Sequence, residues 1–161
     1  MIGLPDNGSA ALSRAVENSP DVTLLTVTRE GEAFAIASGL WMGGQNPVVL
    51  IQNTGLLESG DSLRGTAIRM GVPLLCLIGY RGYAKLQALK PGSQSESPAS
   101  EDMVRNDLDS AALVTEPTLN AWRVPYEFYR SDSDLPVVAE SWDQARRESR
   151  PVAILLPSEF V

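Results

Sequence analysis

Glu30 is the residue in this chain whose type and setting best suit it to chemistry. It follows the apolar run VTLLTVT (22–28) and opens the apolar stretch EGEAFAIASGLWM (30–42), where a buried strand gives way to a helix. A carboxylate that loses water in such a place is suited to sharing a proton with a ligand nitrogen. The plainer reading is that an acid in a first helical turn complements the helix dipole and does nothing else, and Glu32 is read that way. Other polar residues stand where apolar runs end: Asp6, Asn7 and Ser9 in LPDNGS, Gln52, Asn53 and Thr54 in QNTGLLES, and Tyr80 and Arg81 in GYRGY. Each of these loops carries a glycine, which lets backbone come close to a ligand.

Other chemistry is excluded by composition. Histidine is absent and Cys76 is the only cysteine, so Ser-His-Asp and Cys-His nucleophile systems, imidazole or thiolate zinc sites and an intramolecular disulfide are ruled out. Cys76 lies in VPLLCLIG and reads as a small buried hydrophobe. GLPDNGSA lacks the Gly-Lys-Ser/Thr ending of a phosphate-binding loop, and no GxGxxG follows a strand. The acids of 101–109 read as a solvated loop face, so no metal site is expected on this chain. A net charge of −7 and a pI near 4.6 argue against nucleic acid as a partner. No run approaches the roughly 18 apolar residues of a membrane span, and MIGLPDNGSA is no signal sequence, so a cytoplasmic protein is expected.

The elements that must position these residues alternate. Strands are expected at 22–28, 47–53, 72–80 and 151–157, with a shorter one at 124–129 and a very short one before LPDNGS. Helices are expected at 9–18, 30–42, 59–70 and 135–149. The strand segments are continuously apolar, as in strands covered on both faces. The chain is therefore expected to form one α/β domain over 1–161, with an open, mostly parallel sheet and helices on both faces. In such a sheet the polar loops converge at the carboxyl ends of the strands, where ligands bind. The whole net charge falls in residues 91–161, and the Ser-, Pro- and acid-rich stretch at 91–112 is expected to be a mobile loop. The helix at 30–42 is apolar on nearly every side, so part of it is expected to meet a second subunit.

The stretch from VTREGEAFAIASGLWM through QNTGLLES to LIGYRG resembles the pyrimidine-binding (PYR) domain of thiamine diphosphate enzymes. It is most like the alpha subunit of sulfopyruvate decarboxylase and the phosphonopyruvate decarboxylases. LPD, EGEA, QNTGL and RG occur in the family's order, and with PYEFY and PVAILLP the resemblance covers nearly all of the chain outside the Ser-rich loop. It implies that Glu30 hydrogen-bonds N1′ of the aminopyrimidine and so activates thiamine diphosphate for decarboxylation of a 2-oxo acid. Gly39, nine residues on from Glu30, fits the family pattern and favours Glu30 over Glu32. By the same likeness Gln52, Asn53, Thr54 and Gly55 contact the aminopyrimidine or the substrate. Asp6 and Asn7 face the substrate, a small anionic 2-oxo acid such as sulfopyruvate or phosphonopyruvate. Arg81 pairs with its sulfonate, phosphonate or carboxylate, or else sits in a surface salt bridge.

The family's Gly-Asp-Gly motif for diphosphate and Mg²⁺ is absent here. The resemblance therefore implies that Mg²⁺ is held by a partner, a beta subunit carrying the pyrophosphate-binding (PP) domain, in a homo- or hetero-oligomer formed through helix 30–42. The chain also begins almost on its first strand, without the N-terminal helix the family leads one to expect. An acetolactate-synthase-like carboligase subunit, or a non-catalytic binding or regulatory protein that kept the fold, are the alternatives.

Overall fold

The computed structural model describes residues 1–4, 6–92 and 94–157. Six strands form one all-parallel sheet: β1 (Ile2–Gly3), β2 (Leu25–Thr26), β3 (Val48–Gln52), β4 (Leu75–Gly79), β5 (Tyr126–Phe128) and β6 (Val152–Leu156). Their order across the sheet is β2-β1-β3-β4-β6-β5, with Val49 level with Cys76 and Cys76 level with Ala153. Helices lie on both faces, as the uninterrupted apolar runs require. Side chains alternate along each strand. Val49, Ile51, Cys76, Ile78, Ala153 and Leu155 enter the larger core, and Leu50, Leu75, Ile154 and Leu156 the smaller one opposite.

The larger core is closed by α2 (Glu30–Met42), α3 (Asn53–Glu58) and α7 (Ser110–Ala121), which contribute Phe34, Leu56 and Leu119. The smaller is closed by α1 (Ala10–Glu17) and α8 (Leu135–Glu148), through Leu12, Val138 and Trp142. Helix α2 has the expected bounds. Ala33, Phe34, Ala37 and Ser38 are buried against the sheet, and Ile36, Trp41 and Met42 are 41%, 36% and 67% exposed. No helix among the described residues is long and apolar enough to cross a membrane.

The structure corrects several boundaries. Helix 59–70 instead begins at Asn53 and runs as α3, a short turn α4 (Gly60–Ser62) and π-helical turns at Leu63–Ile68. The cause is local: Gln52 keeps an extended backbone, and the chain turns helical at once, seating Leu56, Leu63 and Ala67 in the core on one helical face. Helix α5 (Tyr83–Leu89) was not expected, nor was α7, whose sequence contains Pro117. The 91–112 stretch contains α6 (Ser100–Met103) and the start of α7, and Lys90 pairs with the buried Asp102 across it.

Cys76 is only 2% exposed, and burial pushes its thiol up to about 12. Iodoacetamide at pH 8 should therefore leave it unmodified in the folded protein and label it in denaturant, as mass spectrometry would show.

Candidate functional site

Because every strand points the same way, their carboxyl ends share one rim of the sheet. The order reverses between β1 and β3: β2 lies outside β1, and β4 outside β3. A reversal of this kind opens a crevice at the rim. Glu30 heads α2, which crosses from β2 to β3, and Gln52 ends β3. Glu30 and Gly55 come together at this rim.

Glu30 is half-buried, and its stem lies against the backbone of α3. A Cβ placed on the wholly buried Gly55 would stand 2.3 Å from Glu30 Cγ and 2.7 Å from its Cδ and Oε1. A larger residue at 55 would displace the Glu30 side chain from this place. Among the described residues the Glu30 carboxylate takes part in no hydrogen bond or ion pair.

Its neighbours are all engaged. Glu32 Oε2 accepts from Thr28 N (3.0 Å), Thr28 Oγ1 (3.0 Å) and Arg29 N (3.2 Å), closing the first turn of α2 as a cap. That is the structural part read for it from the sequence. Glu58, one turn beyond Gly55 on α3, accepts Gly31 N–H at 2.8 Å and the Arg29 guanidinium at 2.5 Å. The Thr28 N–H holds the Glu32 carboxyl below its ordinary value, and the Arg29 side chain does the same for Glu58.

These depressed values fix the sign of an acid effect. Carboxylates whose proton affinity falls on folding stabilise the fold above their ordinary value near 4.5, and that contribution is lost as pH falls through the lowered folded values. Asp107, held at about 2 by Arg105, acts in the same direction. The melting midpoint should therefore decline as pH is lowered from about 5 toward 2, with the first turn of α2 losing amide protection early. Calorimetry and hydrogen exchange across that range check both.

Beside Glu30 the structure brings together Gln52, Asn53, Thr54 and Arg81. Gln52 Oε1 accepts from Thr54 Oγ1 at 3.0 Å and from Arg81 Nη1 at 3.3 Å, and no bond from the Gln52 amide nitrogen is formed among the described residues. Arg81 Nε donates to Asp109 Oδ2 at 2.9 Å, yet its side chain remains 53% exposed. The salt bridge read as the plainer role of Arg81 is thus present, and its Nη2 makes no bond among the described residues. Asn53 differs from its neighbours. Its side chain is wholly buried, with Nδ2 donating to Arg81 O and Thr115 Oγ1, both at 3.1 Å, and its Oδ1 unpartnered. It ties the end of β3 to the β4–α5 loop and to α7, so contact with a ligand by its side chain is not what this arrangement offers.

Asp6 is also engaged. Its carboxylate accepts from Gly8 N (2.7 Å), Ser9 N (3.1 Å) and Ser9 Oγ (3.0 Å), forming the turn into α1, while Asn7 is exposed. Tyr80 is buried, with its hydroxyl 3.0 Å from Ala112 O and 3.2 Å from Glu116 Oε1. Tyr126 donates to the other oxygen of Glu116 at 2.9 Å, and burial pushes its phenol up to about 12. These two tyrosines brace α7 against the sheet.

Sequence reasoning missed Glu58, Arg29, Asp109 and Thr115. Asp109 had a legible signal. In DSAA it precedes two alanines whose N–H groups it accepts at 2.9 and 3.3 Å, the mark of a helix N-cap. Glu58 had none, since its part depends on α3 starting at Asn53.

No family model matches the chain. Curated relatives do. A phosphonopyruvate decarboxylase of Streptomyces viridochromogenes is 32% identical over 96 residues, which are 60% of this chain and 22% of that protein. A sulfopyruvate decarboxylase subunit alpha of Methanothermobacter thermautotrophicus is 26% identical over 146 residues, 90% of this chain and 78% of the relative. A 1-deoxy-D-xylulose-5-phosphate synthase of Corynebacterium glutamicum is 27% identical over 82% of this chain and 22% of that enzyme. The chain thus spans about a fifth of the phosphonopyruvate decarboxylase and most of the alpha subunit. This chain is a relative of the sulfopyruvate and phosphonopyruvate decarboxylases, and its resemblance to the pyrimidine-binding domains of thiamine diphosphate enzymes, carried by LPD, EGEA, QNTGL and RG, stands.

Proposed function

We propose that this chain is the pyrimidine-binding subunit of a thiamine diphosphate-dependent decarboxylase of small anionic 2-oxo acids, of the sulfopyruvate or phosphonopyruvate type. The observation that carries the reading is Glu30, a half-buried carboxylate near the sheet's reversal point that makes no hydrogen bond or ion pair among the described residues and whose stem occupies the space a side chain at Gly55 would fill. That arrangement fits an aminopyrimidine. Glu30 would hold the proton shared with ring nitrogen N1′, with Gly55 allowing its stem to lie on the backbone of α3. When bound, the cofactor supplies the electron sink for loss of carbon dioxide.

The rest of this chain's part is binding and orientation. Gln52 presents its amide N–H groups and Thr54 its hydroxyl at the rim, while Asn53 fixes the loop from within. Arg81, held by Asp109 and Gln52, offers the outer edge of its guanidinium to the sulfonate, phosphonate or carboxylate of the substrate. Asn7 is the residue of the first loop open to a substrate; Asp6 would have to give up its turn to reach one.

The diphosphate and Mg²⁺ would be held by a PP-domain beta subunit. Supporting this are the relatives named as alpha subunits and the exposed apolar residues Ile36, Trp41 and Met42 of α2, which a partner would cover. The likeness to a synthase keeps carbon–carbon bond formation as a second reading. The test is a pull-down from the native lysate with thiamine diphosphate and Mg²⁺, followed by assay of the assembled pair. Co-elution of a chain bearing Gly-Asp-Gly, with carbon dioxide released from sulfopyruvate or phosphonopyruvate, is the expected result. A carboligated product would select the second reading. Recovery of this chain alone, unaffected by cofactor, would overturn both.

A further inference from the structure

The Arg29 guanidinium lies in the field of three carboxylates at the start of α2, Glu58 in contact with it and Glu32 and Glu30 acting more weakly. Glu32 is engaged as the cap of the turn, and Glu58 accepts Arg29 Nη2 at 2.5 Å and Nε at 3.1 Å through one oxygen and Gly31 N–H at 2.8 Å through the other. Glu30, adjacent to Arg29 in the chain and within reach of its field, makes no hydrogen bond or ion pair among the described residues. A guanidinium left loose beside a half-buried carboxylate would pair with it, and a carboxylate so paired no longer has its oxygens free for a ligand. The Arg29–Glu58 pair itself is largely exposed, with side chains 73% and 33% accessible, and exposed pairs add little to stability. Its consequence is better sought in what it does to Glu30.

We propose that Glu58 is a positioning residue for Glu30: it takes up the Arg29 guanidinium and the Gly31 N–H, and so keeps the Glu30 carboxylate unpaired and facing the ligand. Helix α3 then holds Glu30 twice, through Gly55 under its stem and through Glu58 on the backbone that follows it. The inference rests on the reading of Glu30 above.

The test is a double-variant cycle. In E58Q the amide oxygen still accepts from Gly31 N–H, but the charge that holds Arg29 is gone. In the assembled enzyme E58Q should lower kcat by about tenfold with KM for the oxo acid little changed, and the double variant R29Q/E58Q should recover most of the loss. R29Q alone should stay close to wild type. If Glu58 served only to brace the turn, removing Arg29 as well would restore nothing. A crystal structure of the isolated E58Q chain gives a second readout without cofactor: the Arg29 guanidinium should stand at hydrogen-bond distance from the Glu30 carboxylate. Wild-type kcat in E58Q, a double variant no better than E58Q, or Arg29 remaining away from Glu30 would each overturn the proposal. Should E30Q itself turn over like wild type, the reading of Glu30 fails, and the E58Q structure still decides where Arg29 goes.

Discussion

Replacing Glu30 by Gln is expected to lower turnover of the assembled enzyme by about a hundredfold or more, the range in which a positioned proton-transfer group contributes. The substitution is close to isosteric, so the stem still lies on Gly55. Since the carboxylate makes no internal hydrogen bond or ion pair among the described residues, none is lost with it. The unfolding free energy should therefore change by no more than the roughly 0.5 kcal/mol typical of substitutions that break no contact. Loss of rate at unchanged stability separates a chemical role from a dipole-complementing one, which would show neither. Steady-state kinetics and a melting curve on the same preparation check it, and near-normal turnover would remove Glu30 from the mechanism.

Gly55→Ala is expected to cost nearly as much activity by a different route. The added methyl would lie 2.3 Å from Glu30 Cγ, inside any tolerable contact, and the backbone of α3 is packed in the core through Leu56. The side chain of Glu30 is what must yield. Displacing a reacting group by about 1 Å can cost a hundredfold in rate, and a loss of that order is expected here. Stability should change less. Overpacking costs about 1–3 kcal/mol, offset by the roughly 1 kcal/mol by which alanine favours a helix over glycine. In the double variant E30Q/G55A the two losses should not multiply, because both act on one carboxylate. Multiplicative losses, or a G55A enzyme of normal rate, would show that Gly55 does not set the place of Glu30.

Much of this was legible in the residues. The runs PVVLIQN, VPLLCLIGY and PVAILLP became β3, β4 and β6 because continuous apolar strands fit only a sheet covered on both faces, and EGEAFAIASGLWM became α2 without a shift of boundary. Glu30, Gln52, Thr54 and Arg81 were singled out from their places after apolar runs, and the sheet brings them to one rim. The QNTGL segment was harder. Asn, Thr and Gly are turn formers by local preference, yet in the structure they begin a helix, because seating Leu56 and Leu63 in the core outweighs that preference.

The part each polar residue plays could not be read from its type. Asp6, Asn53 and Glu30 are all polar residues at strand ends. One is consumed by a turn, one is buried as a strut and one makes no hydrogen bond or ion pair among the described residues. That outcome depends on which groups from distant segments arrive beside them: Gly55 beneath Glu30, Glu58 on Arg29, Thr115 against Asn53, Asp109 on Arg81. The sequence by itself determined the parallel α/β sheet, the rim where a ligand would sit and the likeness to thiamine diphosphate enzymes, because these rest on hydrophobic patterning and local motifs. The tertiary structure alone decided which carboxylates are engaged and which is left unbonded among the described residues, because hydrogen-bond partnership is set by contacts between segments far apart in the chain.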